Sequence, residues 1–394
     1  MPISIVRCAD VRTEEVGEPH VEVIYVLDAA GRYDRLPGRA QWISWHALDA
    51  LSLSQPRHRA ITGRCVAEAA SGVIPSLRPP WQCHGWFHAA TVWIEEQMRQ
   101  LGRPLVAPVE QVRLQGTTCL LHAQAARGAV YFKVASALPL FTNEPALTAG
   151  LASRYPHHVA APLASDPEQR WMLLDDLGTP LGATPDAATW VGWLTMFGQM
   201  QKHSASCVDE LLALGCLDRR LPRLAGQIEP LLNDSTALAG LEADQIERLR
   251  VQGPRLVEMC AQMATAAIPP TLAHGDLHPG NIARAPGGYK FFDWTDGCIA
   301  HPFLDLVTVQ DAAEYALGHE AWTRLRESYL ALWSDYEPLD RLRALWLIAE
   351  PLGYLHDAIS YQHIVEALEP ASRWEVDGVV AFLLDKVLAC LIRP

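Results

Sequence analysis

Two short stretches constrain this 394-residue chain more than any others: His274-Gly275-Asp276-Leu277-His278-Pro279-Gly280-Asn281, and then Phe291-Phe292-Asp293-Trp294. Asp276 and Asn281 stand five residues apart on one loop, and Asp293 closes a short apolar run twelve residues beyond Asn281. A fold that uses them must bring two loops to one place. Pro279-Gly280 permits the tight return that the Asp276/Asn281 spacing requires. Phosphoryl transfer from a nucleotide needs such a set: a carboxylate to take the attacking hydroxyl's proton, and two hard oxygen ligands to hold magnesium on the phosphates. A lone Asp or Asn in a loop makes turns and caps; the joint pattern, in this order and between apolar flanks, points to chemistry.

The length predicts two or three domains. A hydrophobic content of 49% with 20% charged residues is that of a folded globular chain. The net charge of -13 argues against a general nucleic-acid binder, whose domains carry basic stripes. Nine scattered cysteines without a Cys-x-x-Cys pair read as reduced thiols in a cytoplasmic protein. No apolar run reaches signal-peptide or membrane-spanning length, which predicts neither a membrane protein nor a membrane partner.

Val21 to Asp28 reads as a strand, followed by turn signals at Ala29-Ala30-Gly31-Arg32 and Leu36-Pro37-Gly38. Five of the thirteen tryptophans, Trp42 and Trp45 among them, precede residue 100, enough for a core of its own. Trp86, Ala90, Trp93, Ile94, Met98 and Leu101 recur at helical spacing, and Gly102-Arg103-Pro104 stops that helix. Strands are expected around Glu110–Gln124 and Ala129–Ser136, a helix after Asn143, and a strand at Arg170–Leu174. Long amphipathic helices are expected over Trp190–Ser204, Ala243–Ala267, Leu304–Trp333 and Leu339–Ile364. Strands first and helices after make an α+β chain.

The pair HGDLHPGN and FFDW resembles the catalytic signature of the aminoglycoside phosphotransferase and choline kinase superfamily of small-molecule kinases. The resemblance covers roughly residues 105–390 and is strongest over 271–306. It implies a two-lobed protein-kinase-like fold: an N-terminal accessory domain over 1–103, a β-rich lobe over 104–178, and a helical lobe over 179–394. It implies Asp276 as catalytic base, Asn281 and Asp293 as magnesium ligands, and His274 as support for the loop. Asp305 resembles the family's helix Asp that braces the catalytic loop. Protein kinases carry an Arg where this chain has Gly275, and only twelve residues separate Asp293 from Asp305. That leaves no room for an activation segment, so a small-molecule acceptor is expected rather than a protein.

The nucleotide half carries weaker signals. Lys133, in Tyr131-Phe132-Lys133-Val134, stands where a kinase keeps the Lys that contacts the α- and β-phosphates. A buried ammonium needs a partner, and Glu144 is the natural one; the plain alternative is a Lys that snorkels to solvent. Gly116, in Leu114-Gln115-Gly116-Thr117-Thr118, is the best candidate for a phosphate-covering turn. Asp176 falls in the stretch resembling the hinge between lobes, where backbone groups meet the adenine. Asp296, Glu350 and Asp357 are the carboxylates expected to face the acceptor. The N-terminal strand, turn and Trp-Ile-Ser-Trp run are vaguely similar to the end of a Nudix-like domain. Residues 60–75 lack that domain's carboxylate-rich helix, so a packing cap or substrate lid is expected. The reading is an ATP- or GTP-dependent, Mg2+-dependent phosphotransferase acting on a hydroxyl of a sugar, amino sugar, aminoglycoside or amino alcohol. Two alternatives stay open: a nucleotide-binding regulator without turnover, and an AMP-transferring enzyme on the same scaffold.

Overall fold

A computed structural model describes residues 3–14, 20–29, 43–53, 55–182 and 186–392. The turns expected after Ala29 and at Leu36-Pro37-Gly38, with Trp42, lie outside the described residues. The chain divides into two compact units, Met1–Ser136 with Ala367–Glu375, and Ala137–Glu366 with Val376–Pro394. The border thus falls inside the segment expected to form the small lobe.

The first unit opens with an antiparallel pair, β1 (Ile3–Glu14) and β2 (His20–Ala29), followed by α1 (Pro56–Ser71) and α2 (Trp86–Gln100). Pro56 begins α1, where its missing N–H is harmless, and Gly72 ends it at φ 66°. Three strands follow as a meander: β3 (Glu110–Leu114), β4 (Thr118–Ala125) and β5 (Gly128–Ala135). The run expected as one strand over 110–124 is therefore two, broken at the Gln115-Gly116-Thr117 turn. Burial alternates along β4 and β5 with the period of two that a sheet imposes. Trp86, Ala90, Ile94 and Met98 form the buried stripe of α2, and Trp86 and Trp93 meet Phe132 of β5 at 6.0 and 5.7 Å between ring centroids. Leu101, expected on that stripe, is exposed at the helix end.

One ion cluster ties distant segments of this unit. Arg78, its side chain 7% exposed, donates Nε and Nη2 to the two carboxylate oxygens of Glu369 at 2.7 and 2.9 Å. It also bonds Glu68 of α1, which receives Arg7 of β1 as well. These guanidinium bonds hold Glu68 below the usual carboxylate range.

The second unit runs through α3 (Glu144–Arg154), the hairpin β6 (Ala164–Asp166) and β7 (Trp171–Asp175), α4 (Ala187–Ser204), α5 (Val208–Ala213), β8 (Leu217–Asp218), α6 (Leu221–Asn233) and α7 (Ala243–Met263). It continues with β9 (Thr271–Ala273), β10 (Ile282–Ala285), β11 (Gly288–Phe291), β12 (Cys298–Ala300), α8 (Leu306–Leu317), α9 (His319–Ala331), α10 (Leu339–Ala367) and α11 (Val379–Ile392). The helix expected over 304–333 is two, because Gly318 adopts φ 84° and ψ 165°, which no helix tolerates. α4 buries Trp190, Trp193 and Phe197 in the core. Gly353 lets α10 approach closely: a Cβ there would lie 2.6 Å from Val307 and 3.1 Å from the Leu304 carbonyl. Three short strands in the order β8-β12-β9, with the β10–β11 hairpin beside them in sequence, carry the two loops of interest. Among the described residues no helix is long and apolar enough to cross a membrane.

Two predictions follow from this packing. Arg78→Met leaves the carboxylates of Glu68 and Glu369 without their shared cation. Its loss should destabilise the protein by about 3 kcal/mol, read as a lower urea midpoint, with Glu369→Gln partly restoring it in the double variant. Buried histidines should also make the fold acid-labile. Burial pushes His301 down to about 3 and His356 well below its ordinary value. The folded chain therefore refuses protons that the unfolded chain binds below about pH 6.5. Stability present at pH 7 is lost as pH falls towards 4, at about 1.4 kcal/mol per pH unit for each such ring. Asp305, whose carboxyl burial pushes up to about 6, and Asp357, pushed well above its ordinary value, titrate with the opposite sign and offset about two such rings, while the buried His274, lowered to about 4, adds a third and leaves the net slope. Urea midpoints should drop from pH 7 to pH 5, and His301→Asn should flatten that slope.

Candidate active site

Both loops leave the ends of short strands that pair with, or lie next to, one another. Residues 274–281 join β9 to β10, and residues 292–297 join β11 to β12, which pairs antiparallel with β9. One backbone and one side-chain bond lash the loops together: Phe292 N–H donates to the Asn281 carbonyl at 3.0 Å, and the His274 Nε2 lies 3.0 Å from the Phe292 carbonyl. His274 is fully buried and stacks on Trp294 at 4.6 Å; burial lowers its pKa to about 4. The ring is therefore neutral, with its Nε2 proton given to that carbonyl.

Asp305 braces the first loop from below. Its Oδ2 accepts the His274 N–H at 2.9 Å and the Gln201 amide at 3.2 Å, and its Oδ1 accepts the Gly275 N–H at 2.9 Å. The Tyr329 hydroxyl in turn bonds Gln201. Gly275 sits at φ 81°, and a Cβ there would lie 2.6 Å from both the Cβ and the carbonyl oxygen of Asp296. The residue that follows His274 is therefore Gly for steric reasons of this site, besides its difference from protein kinases.

Asp276 stands at the loop tip, half exposed. Asn281, 7% exposed, donates its amide N–H to the Asp276 Oδ2 and to the Asp276 carbonyl, both at 3.0 Å. Both bonds use the NH2 end, so the amide oxygen is the atom that can ligate a cation. Asp293 has φ 67°, one of two non-glycine residues with positive φ among the described residues. For an Asp that conformation is uncommon, and it persists where neighbours enforce it. Thr295 Oγ1 lies 2.9 Å from the Asp293 Oδ1, and Thr142 donates two bonds that fix the loop: its N–H to the Thr295 carbonyl at 2.8 Å and its hydroxyl to the Trp294 carbonyl at 3.0 Å. Glu144, buried in the first turn of α3, accepts the Trp294 N–H at 3.1 Å and the Thr295 hydroxyl at 3.0 Å. Its position thus ties α3 to the Asp293 loop.

Acidic groups gather beside Asp276. Asp357 of α10 is 8% exposed; burial holds its carboxyl well above the usual range against the pull of Arg219, and Asp276, Asp305 and Asp296 push it further up. The buried Arg219 donates to the Ser360 hydroxyl and to the His356 carbonyl, while its Nε finds no partner among the described residues. Tyr361 is raised by burial and by three carboxylates, Asp276, Asp357 and Asp296. Glu350, two turns earlier on α10, is buried and accepts the Gln310 amide at 3.0 Å, a bond between α10 and α8.

Lys133 is half-buried on the face of β5 opposite Phe132, opposite Leu120 of β4 in register. Gly116 N–H is held by the Glu375 carboxylate at 3.0 and 3.3 Å, and Leu368 covers the place a Cβ would take, at 2.1 Å. Asp176 is exposed and caps the Gly178 N–H at 2.8 Å. Sequence reasoning passed over Thr142, Gln201 and Thr295, whose partners lie far away in the chain. It also passed over His278, which the octapeptide itself contains.

The fold has solved counterparts. A choline kinase of Streptococcus pneumoniae superposes with a TM-score of 0.54 at 13% identity, over 77% of this chain and 99% of that one. A choline/ethanolamine kinase family protein of Mesorhizobium loti gives 0.52 at 14% identity, over 74% and 90%. An aminoglycoside 2'-phosphotransferase solved with GDP gives 0.53 at 13% identity, over 78% and 98%. No curated protein matches by sequence. The profile of the phosphotransferase enzyme family matches residues 148–345, half of the chain and both loops described above, and the chain belongs to that family.

Proposed function

We propose that this enzyme moves the γ-phosphoryl group of ATP or GTP to a hydroxyl of a small cationic molecule, an amino alcohol or amino sugar. The observation that carries the reading is the convergence of Asp276, Asn281 and Asp293 on two loops bonded to each other through the Asn281 and Phe292 backbones. Asp276 accepts the acceptor's hydroxyl proton. The freed oxygen pair forms the new bond to the γ-phosphorus as the bond to the β,γ-bridging oxygen breaks and its electrons leave with the nucleoside diphosphate, through a loose in-line transition state. The donor set suits magnesium: an amide oxygen from Asn281 and a carboxylate from Asp293, both hard ligands held by their own second bonds. When bound, the metal would neutralise charge on the phosphates. Lys133 orients the α- and β-phosphates, and Glu144 holds the Asp293 loop in register. Asp296 supplies negative charge for an ammonium on the acceptor, and Asp357, whose carboxyl burial holds towards its neutral form, ionises as that ammonium arrives, in line with the choline, ethanolamine and aminoglycoside kinases of this fold. Glu350 is assigned to helix packing, and His274 to support of the loop. Nine free cysteines suit a reducing, cytoplasmic setting.

One observation favours a second reading, a nucleotide-binding regulator. The Gly116 N–H that would meet a phosphate is already taken by Glu375. Phosphoryl transfer is tested with Mg-ATP and Mg-GTP against choline, ethanolamine and an aminoglycoside panel, with diphosphate release and product mass as readouts. Asp276→Asn should bind nucleotide as before and lose about 10²–10⁴-fold in turnover; retained turnover removes Asp276 from its role. Glu375→Gln removes the charge facing Gly116 and should tighten Mg-ATP binding by about tenfold, or about 1.4 kcal/mol. Binding without transfer to any acceptor, in wild type and variant alike, favours the regulator.

A further inference from the structure

We infer that His278 is a positioning residue for Asp276, fixing which of its two oxygens takes the acceptor's proton. This rests on the phosphotransfer reading above. The ring lies between two groups of its own loop. Its Nδ1 accepts the Gly280 N–H at 3.0 Å, so the ring proton resides on Nε2, and that atom lies 3.5 Å from the Asp276 Oδ2. Asn281 donates to the same Oδ2 at 3.0 Å. Two N–H donors thus converge on one oxygen of Asp276. A carboxylate oxygen already engaged by two donors is the poorer base, so Oδ1 is the oxygen that receives the proton.

The loop is shaped around this ring. A Cβ on Gly280 would lie 2.5 Å from the His278 Cε1 and 2.8 Å from Nδ1, so any larger residue at 280 displaces the imidazole. Pro279 restrains the backbone between ring and glycine. Asp276 raises the pKa of His278, while the Gly280 N–H on Nδ1 favours the neutral ring, in which Nδ1 keeps its lone pair. At 3.5 Å the contact to Asp276 is at the outer limit of a hydrogen bond, and such contacts shorten when substrate closes a site. During transfer the acceptor's proton moves to Asp276 Oδ1. His278 keeps its own proton on Nε2 throughout, holding the carboxylate's orientation without acting as a base.

The test compares three variants with wild type, using ADP release from Mg-ATP with water as acceptor and, where the panel yields one, the phosphorylated amine. His278→Ala should lower kcat by about 10- to 100-fold while KM for Mg-ATP stays within about twofold. Glutamine places an amide N–H near the position of Nε2; asparagine places an oxygen near that of Nδ1, keeping the Gly280 bond but offering Asp276 no donor. His278→Gln should therefore recover most of the turnover and His278→Asn should not. The reverse order, or equal turnover in all three, overturns the inference and leaves His278 as a loop-shaping residue. Combining His278→Ala with Asp276→Asn should cost no more than Asp276→Asn alone, since one residue acts through the other; additive losses also overturn it. Failure of the phosphotransfer reading is seen separately, as wild-type protein that binds Mg-ATP and releases no ADP.

Discussion

The site depends on one buried carboxylate. Asp305 accepts the backbone N–H groups of His274 and Gly275, a cradle that only a chain with two adjacent, unpaired amides pointing the same way can fill. Without it those amides would be buried without partners, at a cost of about 1–3 kcal/mol each. Gln201 from α4 holds the same carboxylate, and Tyr329 from α9 holds Gln201, so two helices fix where the loop begins. Burial raises Asp305, yet both of its oxygens accept N–H bonds, which the ionised form serves best. Everything downstream, including the direction of Asp276, follows from that start.

A second constraint is steric. The two loops approach so closely that Gly275 has no room for a Cβ against Asp296, and within the first loop Gly280 has none against the His278 ring. Glycine is used in both places because a neighbour occupies the space, and at Gly275 also because φ is positive. The strained φ of Asp293 belongs to the same economy: Glu144 and Thr142 grip the residues after it, and the backbone bends to suit. Strain of this kind is kept where surrounding bonds over-determine the geometry.

Much of the helical architecture was legible because burial imposes period. The α2 stripe, α4, α7 and α10 begin within a few residues of where apolar spacing places them. The failures have local causes. A single helix over 304–333 could not be told from two, since Gly318 breaks the backbone while the apolar pattern runs on across it. β1, α1 and α6 escaped notice, β1 because Arg7, Asp10 and Arg12 interrupt its alternation, and α1 because it buries little beyond Ile61. Glu350 looked like a cleft carboxylate from its helix position alone; its bond to Gln310, forty residues earlier, is invisible along the chain.

The sequence by itself determined the family and the reaction class, because the signature that carries Asp276, Asn281 and Asp293 is confined to eighteen residues whose spacing is set by short loops. It also determined the order of strands before helices, which alternation and helical period record directly. Only the tertiary structure decided how those groups are held. Asp305, Gln201 and the Thr142–Glu144 stretch come from three other places in the chain, and no local pattern encodes a hydrogen bond across 104 or 150 residues. The same holds for the carboxylates beside Asp276: charge at Asp357 is written in the sequence, but its burial against Arg219 arises only when α10 packs down, at Gly353, onto the segment that carries Asp305.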